Sequence, residues 1–377
     1  GEGRWDGVRH ARVKVVLDAA QRRRRGVGRT MPVTEPNRQP ERDAGEHADL
    51  GEAGRNGAQI AIEEINRAGG IKGRQVELIV RDDAQSPEKA IAAANELIAA
   101  RVEAIIGPLT SAMAEVVLPL AQRAGVVLIS PTVTAHNFFG VDDVLFLIMS
   151  STRNEASASA EYHFTQSAVR RVAAIHDIRN RAYTESWLRD FTVEFQARGG
   201  DVVPIAFESG PDVDSGAIVR KALDQRADAI LLITSAFDAA RFAQKVRERD
   251  PGILLFAAQW ASTERLIEFG GKAVDGMVLH NYFDHDSRVP GIQRFRKIYG
   301  ERFQREPGFA GVAGYDATHV VLEGLARRSG GQSLRETLLT RGPFAGAEDQ
   351  IIFDESGDSR RIPHVAVVRD GRFVTLR

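Results

Sequence analysis

The stretch that decides the fold is Arg101–Ala135, RVEAIIGPLTSAMAEVVLPLAQRAGVVLISPTVTA. Its apolar run Ala104–Ile106 is followed by Gly107-Pro108, a pair that ends a strand. After a short polar loop, apolar residues recur at steps of three and four, as on the buried face of a helix. These residues are Met113, Val116, Val117, Leu120 and Ala121. The stretch therefore predicts a strand, a loop and a helix in that order.

A second strand follows this helix. Gly125 ends the helix and Val126–Ile129 form the strand, which makes the stretch a βαβ unit. Units of this length are right-handed and lay their strands parallel. The polar loops Leu109–Ala112 and Ser130–Thr134 then leave the carboxyl ends of neighbouring strands, where open α/β sheets bind ligands. We expect a polar small-molecule site between these two hydroxyl-rich loops.

Composition excludes several classes of function. The chain has 377 residues, enough for two domains of about 150 residues each. Its net charge is -1 with both signs interspersed, which argues against nucleic acid or an anionic membrane as a partner. Cysteine is absent, so disulfides, thiolate metal sites and cysteine nucleophiles are excluded. No apolar run approaches the ~20 residues of a membrane helix, and Gly1–Ala20 shows no signal peptide.

Residues 1–45 form an atypical N-terminal segment. Arg12–Leu17 and Gly26–Pro32 can each be a short strand. We interpret the four arginines Arg22–Arg25 as a solvated face or mobile arm rather than a partner-binding patch.

The rest of the chain alternates between helices and strands and restarts after about Ser151, which predicts a second α/β domain with its own parallel sheet. Asp370-Gly371 between the last two strands is a two-residue hairpin signal. The other predicted helices are Glu52–Ala68, Ser86–Ala100, Glu155–Gln166, Tyr183–Arg198, Ser215–Gln225, Asp238–Arg249, Thr263–Phe269, Gly291–Phe303, Gly314–Arg327 and Leu334–Leu339. The other predicted strands are Val76–Val80, Val144–Met149, Val172–His176, Val202–Phe207, Ala229–Thr234, Ile253–Ala257, Gly276–Leu279, Gln350–Phe353, Val365–Arg369 and Arg372–Leu376.

Six segments in this order carry a family resemblance. They are DLGEAGRNGAQIAIEEINRAGGIKG (49–73), IIGPLTS (105–111), LISPTVTA (128–135), AYTESW (182–187), VAGYDATH (312–319) and IFDESGD (352–358). From about Leu50 to Arg377 the chain resembles the solute-binding proteins of branched-chain amino-acid ABC transporters, the Leu/Ile/Val-binding proteins. The resemblance implies the type I periplasmic-binding fold. This is an α/β fold of two Rossmann-like lobes with parallel sheets, joined by three crossing strands, with the ligand in the cleft between the lobes.

The resemblance also implies domain boundaries. Residues 46–151 with 283–344 would form lobe 1, and residues 152–282 with 345–377 would form lobe 2. The crossings would fall near Ser150–Asn154, Asn281–Asp284 and Phe344–Ile351. The likeness fails at the start, because Met31–Glu35 is the nearest match to the family's first strand and loop, and it lacks the family's glycine.

Lobe 1 supplies the first set of candidate ligand-binding residues. Matching motifs puts Ser111, next to Thr110, in the role of hydroxyl donor to a ligand carboxylate. A helix N-terminus favours an anion at that place, although Ser111 could also be only an N-cap. Thr132 and Thr134 match positions that meet the ligand's ammonium group, and a Pro-Thr turn with Thr134 as a cap is the alternative.

Lobe 2 supplies the second set, beginning with Tyr183, which matches a tyrosine that reaches the ligand and could otherwise be a core residue. Gln259 stands where leucine-type binders place the glutamate that pairs with the ammonium group. A glutamine cannot neutralise a buried charge. Either another acid such as Asp238 serves, or the ligand has no ammonium group. Trp260 would form a flat apolar wall, with packing on the lobe surface as the alternative.

The resemblance therefore implies an extracytoplasmic or periplasmic protein that captures a small carboxylate-bearing ligand by hinge closure and passes it to a membrane permease. We expect the ligand to be an aliphatic or aromatic amino acid. Phosphate-binding, dinucleotide-binding, serine-hydrolase and zinc-protease motifs are absent from the sequence, so no enzymatic role, cofactor or metal is expected. A ligand-sensing regulator of the same fold, for an amide or amino acid, is the first alternative, and a small-molecule enzyme on two α/β lobes is the second.

Overall fold

The computed structural model describes residues 13–18 and 48–376. The helices in this part of the chain are α1 Ala48–Arg67, α2 Pro87–Ala99, α3 Ser111–Ala124, α4 Thr152–Thr165, α5 Arg181–Ala197, α6 Ser215–Leu223, α7 Ala236–Arg247, α8 Glu264–Gly270, α9 Pro290–Phe303, α10 Phe309–Arg327 and α11 Leu334–Thr340. The strands are β1 Val13–Asp18, β2 Val76–Arg81, β3 Ala104–Ile106, β4 Val127–Ser130, β5 Leu145–Leu147, β6 Arg171–Asp177, β7 Asp201–Phe207, β8 Ala229–Ile233, β9 Leu254–Ala257, β10 Val278–Asn281, β11 Phe344–Ala345, β12 Gln350–Ile351, β13 His364–Arg369 and β14 Arg372–Thr375.

The first lobe is built on short parallel strands. β3, β4 and β5 form one parallel sheet in that order, and β1 pairs with β2 in parallel. Every residue of β3, β4 and β5 is buried, as parallel strands covered by helices on both faces require. α1 packs on α9 and α10, and α2 packs on α3. The loops after β3 and β4 leave the sheet side by side, as the sequence predicts.

The second lobe is built on a seven-stranded sheet of order β14-β13-β10-β9-β8-β6-β7. β7 and β8 lie on opposite sides of β6, so the strand order reverses at the carboxyl end of β6, and such switch points are where ligands bind. β13 and β14 are antiparallel, and Asp370 and Gly371 have the positive φ angles of 51° and 70° that a tight hairpin uses.

The chain passes between the lobes three times: from β5 to α4, from β10 to α9, and from β12 to β13. Arg361 joins these passages. Its guanidinium forms ion pairs with Asp316 on α10 and Glu348 between β11 and β12, both at 3.3 Å, and lies 4.0 Å above the ring of Tyr282, which follows β10. The hydroxyl of Ser150 from the first passage donates a hydrogen bond to the Arg361 carbonyl. The expected fold of two lobes joined by three crossings is confirmed.

Most predicted elements are present within a few residues of their expected ends, and the structure corrects some boundaries. α10 begins at Phe309 instead of Gly314, and α4 begins after the cap Ser151. Val13–Asp18 confirms the first of the two candidate N-terminal strands, while Gly26–Pro32, Met31–Glu35 and the arginine run lie outside the described residues. In the part of the chain that the structure describes, no helix is both long and apolar enough to cross a membrane.

Glycines allow α1 and α10 to approach closely. A Cβ atom added at Gly57 would lie 2.0 Å from the backbone oxygen of Gly311. A Cβ atom added at Gly314 would lie 2.5 Å from the backbone oxygen of Gly54. Backbone atoms cannot move aside without separating the helices, so both positions require glycine.

We expect Gly57→Ala and Gly314→Ala each to lower the free energy of unfolding by about 1–3 kcal/mol, because overpacking forces the two helices apart. Urea denaturation followed by circular dichroism measures the change. Gly300→Ala on α9 is the matched control, since a Cβ atom there has 3.8 Å of clearance. Equal stability of Gly57→Ala and Gly300→Ala would contradict this account of the helix contact.

Candidate functional site

Four loops line a cavity between the lobes, where the space among the protein atoms, open mouth included, is about 320 Å³. Two leave β3 and β4 of the first lobe, and two leave β6 and β9 of the second lobe. Seven of the eight predicted ligand-binding residues line it: Thr110, Ser111, Thr132, Thr134, Tyr183, Gln259 and Trp260.

Ser111 is the first residue of α3, and Thr110 occupies the N-cap position. The Ser111 hydroxyl oxygen accepts a hydrogen bond from the Ala135 N–H at 3.3 Å, so its own hydrogen is left to donate. Ser111 is therefore not the N-cap of α3. The positive dipole end of α3 favours an anion beside Ser111, although the Ala112 N–H of this first turn already donates to Asn180 Oδ1.

Thr132 and Thr134 belong to the loop after β4. The Thr132 hydroxyl donates to the Leu109 carbonyl at 2.5 Å, which ties this loop to the loop after β3. The carbonyl of Thr134 accepts from the Thr152 N–H at 2.7 Å. The short helix that follows has Ala135 at its N-cap position, so Thr134 does not act as its cap.

Tyr183 reaches the cavity from the first turn of α5 and is 5 % exposed. Its hydroxyl is buried near the Trp260 backbone without a well-formed hydrogen bond in the described structure. Burial raises the pKa of the Tyr183 phenol well above its usual value, and the nearby Glu155 carboxylate adds to the rise. The phenol therefore stays protonated and can donate a hydrogen bond. Its ring meets the Trp260 ring edge-on, with 5.8 Å between centroids.

Gln259 follows β9 and is also 5 % exposed. Its backbone N–H donates to Glu155 Oε1 at 2.7 Å. Its side-chain Nε2 is buried and has no hydrogen-bond partner among the described atoms. A buried donor without a partner is costly, and a bound ligand that accepts from it would remove that cost.

Glu155 on α4 holds the Gln259 loop in place and is 2 % exposed. Burial raises the pKa of Glu155 to about 7, against the opposing effects of the Gln259 N–H and the neighbouring Trp187 indole. Glu155 does not line the cavity.

Asp238, the eighth predicted ligand-binding residue, does not line the cavity either. It lies in the first turn of α7, where the Ser209 hydroxyl donates to it at 2.5 Å and Arg241 forms an ion pair with it at 3.1 Å. The turn of the helix directs the carboxylate towards these partners. Asp238 follows the strand predicted for Ala229–Thr234, as expected, but the sequence does not show that the loop after this strand lies outside the cavity.

Five further lining residues were not predicted: Leu50, Leu109, Met149, Asn180 and Phe309. Asn180 follows β6 at the carboxyl end of the sheet, and that position was a signal that could have found it. Its Oδ1 accepts from the Ala112 N–H at 3.2 Å, so it contacts the start of α3 in the opposite lobe. No local sequence pattern marks the apolar lining residues. Whether such a residue lines the cavity depends on which side chains of the other lobe lie opposite it.

Contacts across the cleft show that the lobes are closed on each other. Besides the Asn180 contact, the His136 N–H of the first lobe donates to Ser186 Oγ of the second at 3.1 Å. Near the other end of the cleft, the Thr263 hydroxyl donates to Asp49 on α1. The cavity is therefore enclosed by groups from both lobes.

Two α/β lobes joined by three crossings and closed over a polar cavity define a type I periplasmic-binding fold. The sequence profile of the family described as periplasmic binding protein matches residues 41–369. The chain belongs to this family, whose members are solute-binding proteins of transport rather than a class of enzymes.

Individual relatives agree with this assignment. The Leu/Ile/Val-binding protein BraC3 of Rhizobium johnstonii is 27% identical to this chain over 240 residues. The aligned residues cover 63% of this chain and 64% of BraC3, which is less than two thirds of the length of BraC3. The crystal structure of a leucine binding protein from Thermotoga maritima aligns with a TM-score of 0.82 at 24% identity, covering 97% of both chains. A solute binding protein of an ABC transporter from R. palustris, in complex with benzoate, aligns with a TM-score of 0.79 at 19% identity, covering 97% of this chain and 95% of that one. These structural matches show the fold.

The raised pKa of Glu155 predicts a pH dependence of stability. In the unfolded chain this carboxyl ionises near 4.5, and in the folded protein near 7, so the folded state holds the proton more tightly. Its contribution to stability is complete below pH 4.5 and is lost as the pH rises through 7. The loss amounts to about 3 kcal/mol.

Glu155→Gln cannot titrate and keeps an oxygen that can accept from the Gln259 N–H. We expect its free energy of unfolding, relative to the unsubstituted protein, to rise by about 3 kcal/mol between pH 4.5 and pH 8.5. Urea denaturation across this pH range measures the difference. Glu115→Gln, at an exposed site on α3, is the control and should run parallel to the parent protein. If the free energy of unfolding of Glu155→Gln changes with pH in the same way as that of the unsubstituted protein, Glu155 is not the titrating group.

Proposed function

We propose that this protein is an extracytoplasmic solute-binding protein that captures a small carboxylate-bearing ligand and delivers it to the permease of an ABC transporter. The observation that carries the proposal is the closed cavity, where the N-terminus of α3 faces unpartnered donors of the other lobe. The relatives support an amino acid or an aromatic acid as the ligand, since they are named for leucine, isoleucine and valine or hold benzoate.

In this proposal the ligand's carboxylate binds at the start of α3. The Ser111 hydroxyl donates to one carboxylate oxygen, and the helix dipole stabilises the charge. Tyr183 and Gln259 approach from the second lobe and donate to the ligand from the opposite side. Thr132, Thr134 and Thr110 complete the polar wall on the first lobe.

Binding works by hinge closure. A ligand favours the closed form only to the extent that it contacts groups of both lobes, and here Ser111 and Gln259 belong to different lobes. The closed form is then the species that the permease recognises. For the hinge, we propose that residues 46–151 and 283–344 belong to lobe 1 and residues 152–282 to lobe 2. Of the expected lobe 2 residues 345–377, we assign those up to Ile351 to lobe 1, because β11 packs on α10 and pairs with β12.

No bond is made or broken in this role. The cavity wall consists of hydroxyls, amides and apolar side chains, and among its described residues there is no histidine, carboxylate or amine to act as a general base.

Native mass spectrometry of the purified protein, followed by denaturation and identification of what is released, tests the proposal. We expect one small carboxylate-bearing molecule per chain, because closure buries the ligand. If no carboxylate is released and none from a broad panel of acids and amino acids binds, the proposal is wrong.

Variants of the cavity wall test the placement of the ligand. We expect Ser111→Ala and Tyr183→Phe each to weaken binding of the released ligand by roughly ten- to a hundredfold, since each removes a hydrogen bond to a charged group. Isothermal titration calorimetry measures the affinity. Ser329→Ala and Tyr162→Phe, which lie outside the cavity, are matched controls and should bind as the parent does. Unchanged affinity in both cavity variants would rule out this site.

A contact outside the cavity tests the closure. Ser186→Ala removes the acceptor for the His136 N–H, together with the contacts of the same hydroxyl to Thr152 and Arg189 inside the second lobe, and Ser186 does not line the cavity. We expect about three- to tenfold weaker binding, because the one hydrogen bond that this hydroxyl makes to the other lobe is lost. Small-angle scattering should show the same radius of gyration for the ligand-free variant and the ligand-free parent. Parent-like affinity of Ser186→Ala would mean that this contact does not stabilise closure.

A further inference from the structure

We propose that the ligand is a small monocarboxylic acid that has an apolar, flat or branched body and no ammonium group. The inference rests on the proposed function and narrows its ligand class. It is argued from the charges, hydrogen-bond partners and apolar surface of the cavity.

The described cavity wall has no negative charge to pair with an ammonium group. None of its twelve lining residues is charged. Glu155 is the carboxylate behind the Gln259 loop, and the Gln259 N–H already occupies its Oε1. Asp49, next to the lining residue Leu50, already accepts from Thr263. An ammonium group in this cavity would lose its hydration without gaining a counter-charge, which is costly.

The backbone acceptors of the two first-lobe loops are also engaged. The Leu109 carbonyl accepts from the Thr132 hydroxyl, and the Thr134 carbonyl accepts from the Thr152 N–H. At the start of the loop after β3, the Pro108 carbonyl accepts from the Ser130 hydroxyl at 2.6 Å. Each of these oxygens has only one lone pair left for an ammonium group, which has three donors and no acceptor.

The unpartnered groups are instead donors. Gln259 Nε2 can only donate, and the Tyr183 hydroxyl remains protonated. The Ser111 hydroxyl keeps its hydrogen because its oxygen accepts from Ala135. Donors from both lobes around a helix N-terminus match a carboxylate, which is acceptor-only.

The rest of the wall is apolar. Leu50, Leu109, Met149, Trp260 and Phe309 supply aliphatic and aromatic surface, and the Trp260 indole is held edge-on by Tyr183. Flat aromatic and branched aliphatic bodies pack well on such surfaces. The cavity therefore combines one anion-binding end with an apolar chamber.

Matched ligand pairs test the inference. Calorimetry compares 3-phenylpropanoate with phenylalanine, and 4-methylpentanoate with leucine, on protein freed of ligand by denaturation and refolding. We expect each acid to bind at least tenfold more tightly than the amino acid of the same skeleton. Amino acids that bind as tightly as the acids, or more tightly, overturn the inference and leave the proposed function standing. If neither member of either pair binds and no carboxylate is released in native mass spectrometry, both the inference and the proposed function fail.

A charge placed at position 259 tests the same point from the protein side. We expect Gln259→Glu to weaken binding of 3-phenylpropanoate at least tenfold and to strengthen binding of phenylalanine. Gln196→Glu, at an exposed position on α5, is the matched control and should change neither affinity. Gln259→Leu removes the donor without adding charge, and we expect it to weaken the acid three- to tenfold with no gain for phenylalanine. Parent-like binding of the acid by both position-259 variants, with native circular dichroism, overturns the inference.

Discussion

The structure depends on the buried charge of Arg361. An unpaired guanidinium in that position would be strongly destabilising, so Asp316, Glu348 and the Tyr282 ring must stay around it. Together with Ser150, which bonds to the Arg361 backbone, these groups come from every passage of the chain between the lobes. One cluster therefore ties together the three segments that join the lobes.

The position of the binding site depends on where the lobes are joined and on the direction of the strands in both sheets. Parallel strands direct the loops after β3, β4, β6 and β9 towards the cleft, and the chain enters the second lobe directly through α4. Glu155 on that helix accepts from the Gln259 N–H, so the Gln259 loop is tied to the helix that follows the first passage. Among the described residues, the cavity wall combines uncharged side chains with unpartnered donors from the second lobe.

Much of the fold could be predicted because glycine, proline and capping residues mark element ends. Ser86-Pro87 and Gly125 bound their helices as expected. The glycines of α10 misled the prediction of its start, since Gly311 and Gly314 serve helix packing and do not end a helix. Sequence reasoning also named seven cavity residues, yet misplaced Asp238 and missed Asn180 and Phe309. Side-chain direction and the pairing of opposite lobes are tertiary properties, and local patterns do not encode them.

The glycine contact between α1 and α10 has a consequence for biosynthesis. The two helices are separated along the chain by most of the second lobe, so a growing polypeptide has α1 without its packing partner until residues 309–327 have emerged. Strands β6 to β10 emerge as one continuous block and lack only the edge strands β13 and β14. The early-made lobe is thus completed late, and its apolar helix face needs shelter from aggregation during that interval.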